Sequence, residues 1–246
     1  MRTLIVFALV GFGAQLVDGA LGMAYGVTAT SVLLSYGVAP AVASASVHAA
    51  EMVTTGVSGL AHWRFGNVDR GLFTRLVIPG MVGGAIGAYV LTRIPEELMR
   101  PLVSAYLLAL GAIILLRALT GRTPHHDEPR RLPLLGFTGG FLDAAGGGGW
   151  GPLVASTLVS NGTRPRFAIG SVNAAEFFVT ATISATFVLT IGLALWPIIV
   201  GLILGGALAA PLAAYVTQRL PDRPLMILVA VVVMLLSIRG IVQAFG

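Results

Sequence analysis

The chain has 246 residues, of which 56% are hydrophobic and only 10% charged, and its mean hydropathy is +0.91. Soluble domains carry roughly 25% charged residues, so too few polar side chains are present to cover a water-facing surface. The net charge of +5 comes from arginine with no lysine, and there is no cysteine, which excludes disulfides and thiolate chemistry; arginines in short loops and at helix ends suit lipid headgroups, not nucleic acid.

An all-α polytopic membrane protein is expected. The apolar runs predict helices over Thr3–Leu16, Gly22–Ser35, Ala41–Trp63, Arg70–Leu91 and Met99–Leu119, then a polar loop over 120–131. Helices over Leu132–Leu142, Trp150–Ser160, Phe167–Ile191, Leu195–Gln218 and Pro224–Phe245 follow. Gly37 with Pro40, Pro95, Gly162 with Pro165, Pro197, and Pro221 with Pro224 mark the breaks. The start, MRTLIVFALVGFG, has the charge and apolar run of a signal peptide. It is read as uncleaved, because residues from Gly11 onward are repeated later in the chain.

Laid without a gap on Gly136–Thr180, the stretch Gly11–Thr55 is identical at more than a third of its positions, including SVHAAE (Ser46–Glu51) against SVNAAE (Ser171–Glu176). Tyr89–Pro95 likewise matches Tyr215–Pro221. The expected organisation is a first repeat over 1–119, the loop 120–131, and a second repeat over 132–246.

The opening pair of helices in each repeat decides the topology. As one helix, Thr3–Ser35 would be about 50 Å long, too long for a hydrocarbon core of about 30 Å. Split at its glycines, each piece reaches only about 21–24 Å. A re-entrant hairpin fits both facts, over 3–35 and again over 132–160. Three crossings then follow each hairpin, over 41–63, 70–91 and 99–119, and over 167–191, 195–218 and 224–245. Three is odd, so the repeats are inverted. This arrangement places Arg64, Arg70, Arg75, Arg117, Arg122, Arg130, Arg131, Arg164, Arg166, Arg219 and Arg223 on one side and only Arg2, Arg93, Arg100 and Arg239 on the other. The positive-inside rule makes the first side cytoplasmic. A multi-pass protein of the cell (inner) membrane is expected, with termini outside and the loop 120–131 in the cytoplasm.

Broken helices in inverted repeats are a recurrent transporter design. Here the breaks are GALGMAYG (Gly19–Gly26) and GGGGWGP (Gly146–Pro152). Glycines let the backbone approach a ligand, and the half-helix starting after each break offers free N–H groups to an anion. Gly22, Tyr25 and Gly26 from the first break, and Gly147, Gly148, Gly149 and Trp150 from the second, are candidate substrate contacts, together with Ser46, His48, Ser171 and Asn173. Asp18, Glu51, Asp143 and Glu176 lie deep in apolar segments, where ionisable groups are costly and face a cavity or a partner; they are read as proton-coupling or turn-bracing residues. Gly80–Gly84, Gly83–Gly87 and Gly201–Gly205 read instead as helix-packing seams. The sequence contains neither HExxH nor GxSxG, so no enzyme signature is present, and no metal or cofactor is expected.

At GFGAQLVDGALGMAYG, GGGGWGP and the SVHAAE and SVNAAE blocks, the chain resembles the sulfite exporter TauE/SafE family of membrane transporters. The resemblance covers nearly the whole chain. It implies an efflux carrier for sulfite, an organosulfonate or a related small anion. Alternating access would place the anion between the two glycine turns. The acids leave a different class open: a cation- or proton-coupled carrier or channel using Asp18, Asp143, Glu51 and Glu176. The expected partners are the small anion, the lipid bilayer and, as a homodimer, a second copy of the chain.

Overall fold

The structure, a computed structural model, describes residues 2–21, 24–120, 131–217 and 222–245. Gly22 and nearly all of the predicted polar loop lie outside the described residues. The described residues form ten α-helices, in order α1 (Arg2–Leu21), α2 (Tyr25–Ser35), α3 (Pro40–Arg64), α4 (Arg70–Arg93), α5 (Glu96–Thr120), α6 (Leu132–Gly146), α7 (Ser156–Ser160), α8 (Pro165–Thr190), α9 (Trp196–Thr217) and α10 (Asp222–Phe245). A π-helical turn, Gly151–Ala155, precedes α7. Prolines open α3 and α8, where a missing N–H costs nothing, and the Asp69 carboxylate caps α4 by accepting from the Leu72 N–H at 3.0 Å.

Among the described residues, four helices are long and apolar enough to cross a membrane: Arg70–Arg93, Glu96–Thr120, Arg166–Thr190 and Met226–Ala244. The 25 residues of α3 span about 37 Å. Its apolarity is diluted by Ser44, Ser46, His48, Glu51, Thr54 and Thr55, all of them buried. That polar stripe faces protein, so α3 lies inside the bundle.

The two opening helices, α1 of 20 residues and α2 of 11, fold back on each other. Helix α1 is about 30 Å long, longer than the piece its glycines predict, because the helix continues through Gly11 and Gly13 to Leu21. Phe7 near the start of α1 packs against Tyr36 at the end of α2, ring centroids 6.0 Å apart and ring planes tilted by 60°. In the second half, Gly139 of α6 lies against Trp150 and Val154. Both breaks are therefore hairpins.

Direction of packing shows how the halves relate. On the α3–α8 interface Gly56 lies against Phe177 and Gly59 against Ala174, so the helices are antiparallel. On α5–α10 Gly111 lies against Ala230 and Met234, and Gly240 against Ser104, again antiparallel. Each pair joins equivalent elements of the two repeats. Equivalent helices that run in opposite directions make the repeats inverted.

The halves are also interlocked. Helix α1 lies along α9 of the other half, with Gly201 against Leu4 and Ala8 and Gly205 against Ala8 and Phe12. Helix α6 lies along α4 in the same way, with Gly83 against Phe137 and Gly87 against Phe141. The glycine seams let backbone touch backbone. Each hairpin thus packs on the other repeat's helices, and the two halves are not separate packing units.

Two groups of arginines follow from this arrangement. The Asp69 N–H donates to Ser171 Oγ at 2.8 Å, which brings the Arg64–Arg70 loop to the start of α8 beside Arg164 and Arg166. At the other end Arg100 reaches the end of α2, donating to Gly37 O at 3.0 Å.

Candidate functional site

The second hairpin tip is built by glycine geometry. Gly147 has φ +70° and Gly148 φ +149°, conformations that side chains disfavour, and the Gly148 N–H returns to Asp143 O at 3.0 Å. The chain restarts at Trp150, whose N–H donates to Asp143 Oδ1 at 3.0 Å. In the first hairpin Asp18 Oδ1 accepts from the Ala24 N–H at 2.8 Å and the Tyr25 N–H at 3.1 Å. The two aspartates occupy equivalent repeat positions, as do Tyr25 and Trp150. Each acid satisfies orphan donors at the start of its half-helix, as a capping residue does.

Pro152 lies in the first turn of the new half-helix, where its missing N–H costs nothing, and the turn that follows is π-helical. The Ser156 N–H bonds to Gly151 O, five residues back, and the Pro152 carbonyl takes the Ser156 hydroxyl and Arg117 Nη1 instead. Such turns recur at functional sites.

The two tips touch. A Cβ on Gly26 would lie 2.9 Å from Gly148 Cα. Between them is a cavity lined by Asp18, Ala24, Tyr25, Gly26, Val27, Glu51, Asp143, Gly149, Trp150, Gly151, Pro152 and Glu176. Space for the centre of a water-sized sphere is about 10 Å³, room for about one water. All four acids anticipated from the sequence face it, and among the described residues no arginine does.

His48 joins the acids. It is fully buried. Its Nδ1 lies 2.8 Å from Ser44 O, an acceptor only, so Nδ1 carries a hydrogen. Nε2 lies 3.1 Å from Asp143 Oδ2 and 4.0 Å from Glu51 Oε2. A hydrogen bond between Nε2 and a carboxylate oxygen needs one further proton, held on either partner. Glu51 Oε2 is buried with no hydrogen-bond partner and is the next carboxylate oxygen beyond Asp143, outside hydrogen-bond distance of Nε2. Ser44, which the sequence reading missed, holds this group to the second hairpin by donating to Ala144 O at 2.7 Å.

Other anticipated residues lie elsewhere. Ser46 donates back to Val42 O at 2.7 Å. Ser171 binds the Asp69 N–H at the helix end, and Asn173 accepts from Ser58 Oγ at 3.0 Å. All three are off the cavity; Ser171 and Asn173 are so because α8 crosses α3 antiparallel and the start of the SVNAAE block meets the end of α3. Gly147 and Gly148 shape the turn without lining the cavity; Gly147 O accepts from the Thr30 hydroxyl of the opposite hairpin. Pro152, Val27 and Gly151 are lining residues that were not anticipated as contacts.

Tyr106 of α5 packs its ring on Gly146 and Gly149, with a buried hydroxyl that has no partner. Tyr106→Phe is expected to stabilise the protein by about 1 kcal/mol, since an unsatisfied buried hydroxyl costs about 1–3 kcal/mol. Thermal melting in detergent checks this, and a clear loss of stability would contradict it.

Residues 7–240 match the family model described as sulfite exporter TauE/SafE. The chain belongs to the sulfite exporter TauE/SafE family. It is also 43% identical to the "Probable membrane transporter protein YtnM" of Bacillus subtilis (strain 168), over 99% of this chain and 84% of that one. No solved structure matches. As a member of the TauE/SafE family the chain is a membrane transporter, and the cavity between its hairpin tips is the candidate cargo site.

Proposed function

We propose that this TauE/SafE protein is a secondary transporter exporting a small sulfur oxyanion, sulfite or an organosulfonate, by alternating access at the cavity between the hairpin tips. One observation carries the reading: two half-helix N-termini from inverted repeats converge, tip to tip, on one small cavity. Half-helix starts of this kind favour anions. The cavity has room for about one water, so loading cargo requires the two hairpin tips to part, each moving with the helices of the other repeat that it packs on, and parting on alternate sides is the expected cycle. The arginine-rich end carrying Arg64, Arg70, Arg164 and Arg166 is the cytoplasmic one in this reading, with both termini outside.

The four carboxylates dictate the coupling. An anion entering among Asp18, Glu51, Asp143 and Glu176 is repelled unless protons enter with it, so oxyanion binding is expected to take up protons and to weaken as pH rises. The His48–Asp143–Glu51 group is the proton's holding place. The same acids support a second reading, a cation carrier. Flux into liposomes separates the two. Saturable sulfite movement that falls at high pH is the expected result, with the fall flattened in Glu51→Gln/Glu176→Gln. Movement of a monovalent cation without any sulfur oxyanion would sink the anion reading.

A further inference from the structure

The geometry points to a second oxyanion site, at the end of the bundle away from the Arg64–Arg70 loop, formed by Arg239 and Gln243 of α10, Arg100 of α5 and Tyr36 at the close of α2. These residues line an open cleft of about 430 Å³. Helix α2 links it to the central cavity: Tyr25 starts the helix at the cavity and Tyr36 ends it at the cleft, about 16 Å away at 1.5 Å per residue.

The donors differ in what already occupies them. Arg100 donates to Leu34 O at 3.4 Å, Gly37 O at 3.0 Å and Val38 O at 3.3 Å, satisfying the carbonyl end of α2. It also pairs with Glu96, so its charge is largely answered. Arg239 is exposed and makes no ion pair among the described residues. Gln243 stands one turn further along α10, on the same face as Arg239. The Tyr36 ring is held against Phe7 and is 67% exposed. Ser35 also lines the cleft, but its hydroxyl is engaged with Val32 O at 2.7 Å.

With Glu96 set against Arg100, the cleft keeps one positive charge, a planar guanidinium fork, an amide and a phenol. That donor set suits a sulfur or phosphorus oxyanion, which a guanidinium binds through two parallel hydrogen bonds. The orientation proposed above sharpens the point. Arginine is disfavoured on the outer face, which carries Arg2, Arg93, Arg100 and Arg239, and two of these four converge on one cleft. Arg100 has a helix to cap; Arg239 has no such task. The oxyanion is either free, as cargo leaving the central cavity, or the phosphate of a lipid headgroup. The first source rests on the export reading, whereas binding itself does not.

The test uses the full chain in nanodiscs of phosphatidylcholine, titrated with sulfite and with inorganic phosphate by calorimetry. Arg239→Gln is expected to weaken binding about tenfold or more, the loss of a charge-assisted contact, while Glu51→Gln keeps the Arg239-dependent component. Gln243→Glu, which places a negative charge in the cleft, should do the same as Arg239→Gln and guards against a folding effect of either change. In nanodiscs containing phosphatidylglycerol, native mass spectrometry reads the other source: retention of that lipid by the parent protein, lost in Arg239→Gln with no response to soluble ions, assigns a headgroup. Arg239-dependent binding without any sulfite flux would keep this site and sink the export reading. If Arg239→Gln and Gln243→Glu leave both ion binding and lipid retention unchanged, the site is overturned.

Discussion

Gly148→Ala is expected to leave little folded, transport-competent protein. Its φ of +149° is strained for any side chain, which costs about 1–3 kcal/mol. The added Cβ would also lie 2.5 Å from the Gly26 carbonyl carbon and 3.0 Å from Gly26 Cα. Those are backbone atoms at the start of a helix, so no rotamer change relieves the clash. The two tips would have to separate, opening the cavity they close. Gly13→Ala is the matched control: nothing lies within 4 Å of its would-be Cβ, and alanine in a helix interior is worth about 0.5–1 kcal/mol over glycine. Yield and melting temperature in detergent should therefore move in opposite directions for the two variants. A Gly148→Ala protein melting with its parent would show that tip contact is not required.

Asp143→Ala and Asp143→Asn are expected to fail differently. Alanine removes the acceptor of the Trp150 N–H and leaves His48 Nε2 buried without a partner. Breaking a buried pair in this way costs about 3–5 kcal/mol, so the alanine variant should be poorly folded. Asparagine keeps an oxygen for Trp150, and its amide can donate to Nε2 of a neutral His48, because Nδ1 already holds the ring hydrogen against Ser44 O. The fold survives, but the proton shared by His48 and Asp143 is gone. Flux should drop by about tenfold or more, the scale of one charge-assisted hydrogen bond, and should lose its fall with rising pH. Melting curves and flux against pH in liposomes measure both. An asparagine variant with the parent's pH profile would remove Asp143 from the proton path, and one that unfolds like the alanine variant would make its role purely structural.

How far the site was legible in the sequence depended on the kind of information. Asp18, Asp143, Glu51 and Glu176 stood out because carboxylates in apolar helices are expensive, and all four face the cavity. Ser171 and Asn173 were carried along by their likeness to Ser46 and His48, yet repeat position does not determine a partner. Asn173 meets Ser58 where His48 meets Asp143, since the two helices cross antiparallel and the halves differ in side chain at that level. Ser44, Thr30 and Tyr106 gave no signal, being common residue types whose importance comes from what lies opposite them.

The sequence by itself determined the membrane class, the helical content, the two glycine breaks and the duplicated, inverted layout. These follow from composition, segment length and local repetition, which are properties of neighbouring residues. Only the tertiary structure decided that each hairpin packs on the opposite repeat, that Gly26 meets Gly148, and that His48 reaches across 95 positions to Asp143. Helical periodicity says which residues share a face. It does not say how far along a partner helix that face comes to rest. Here that register is set by backbone contact at the glycine seams of α4 and α9, and it is this register that brings the two tips together around a single cavity.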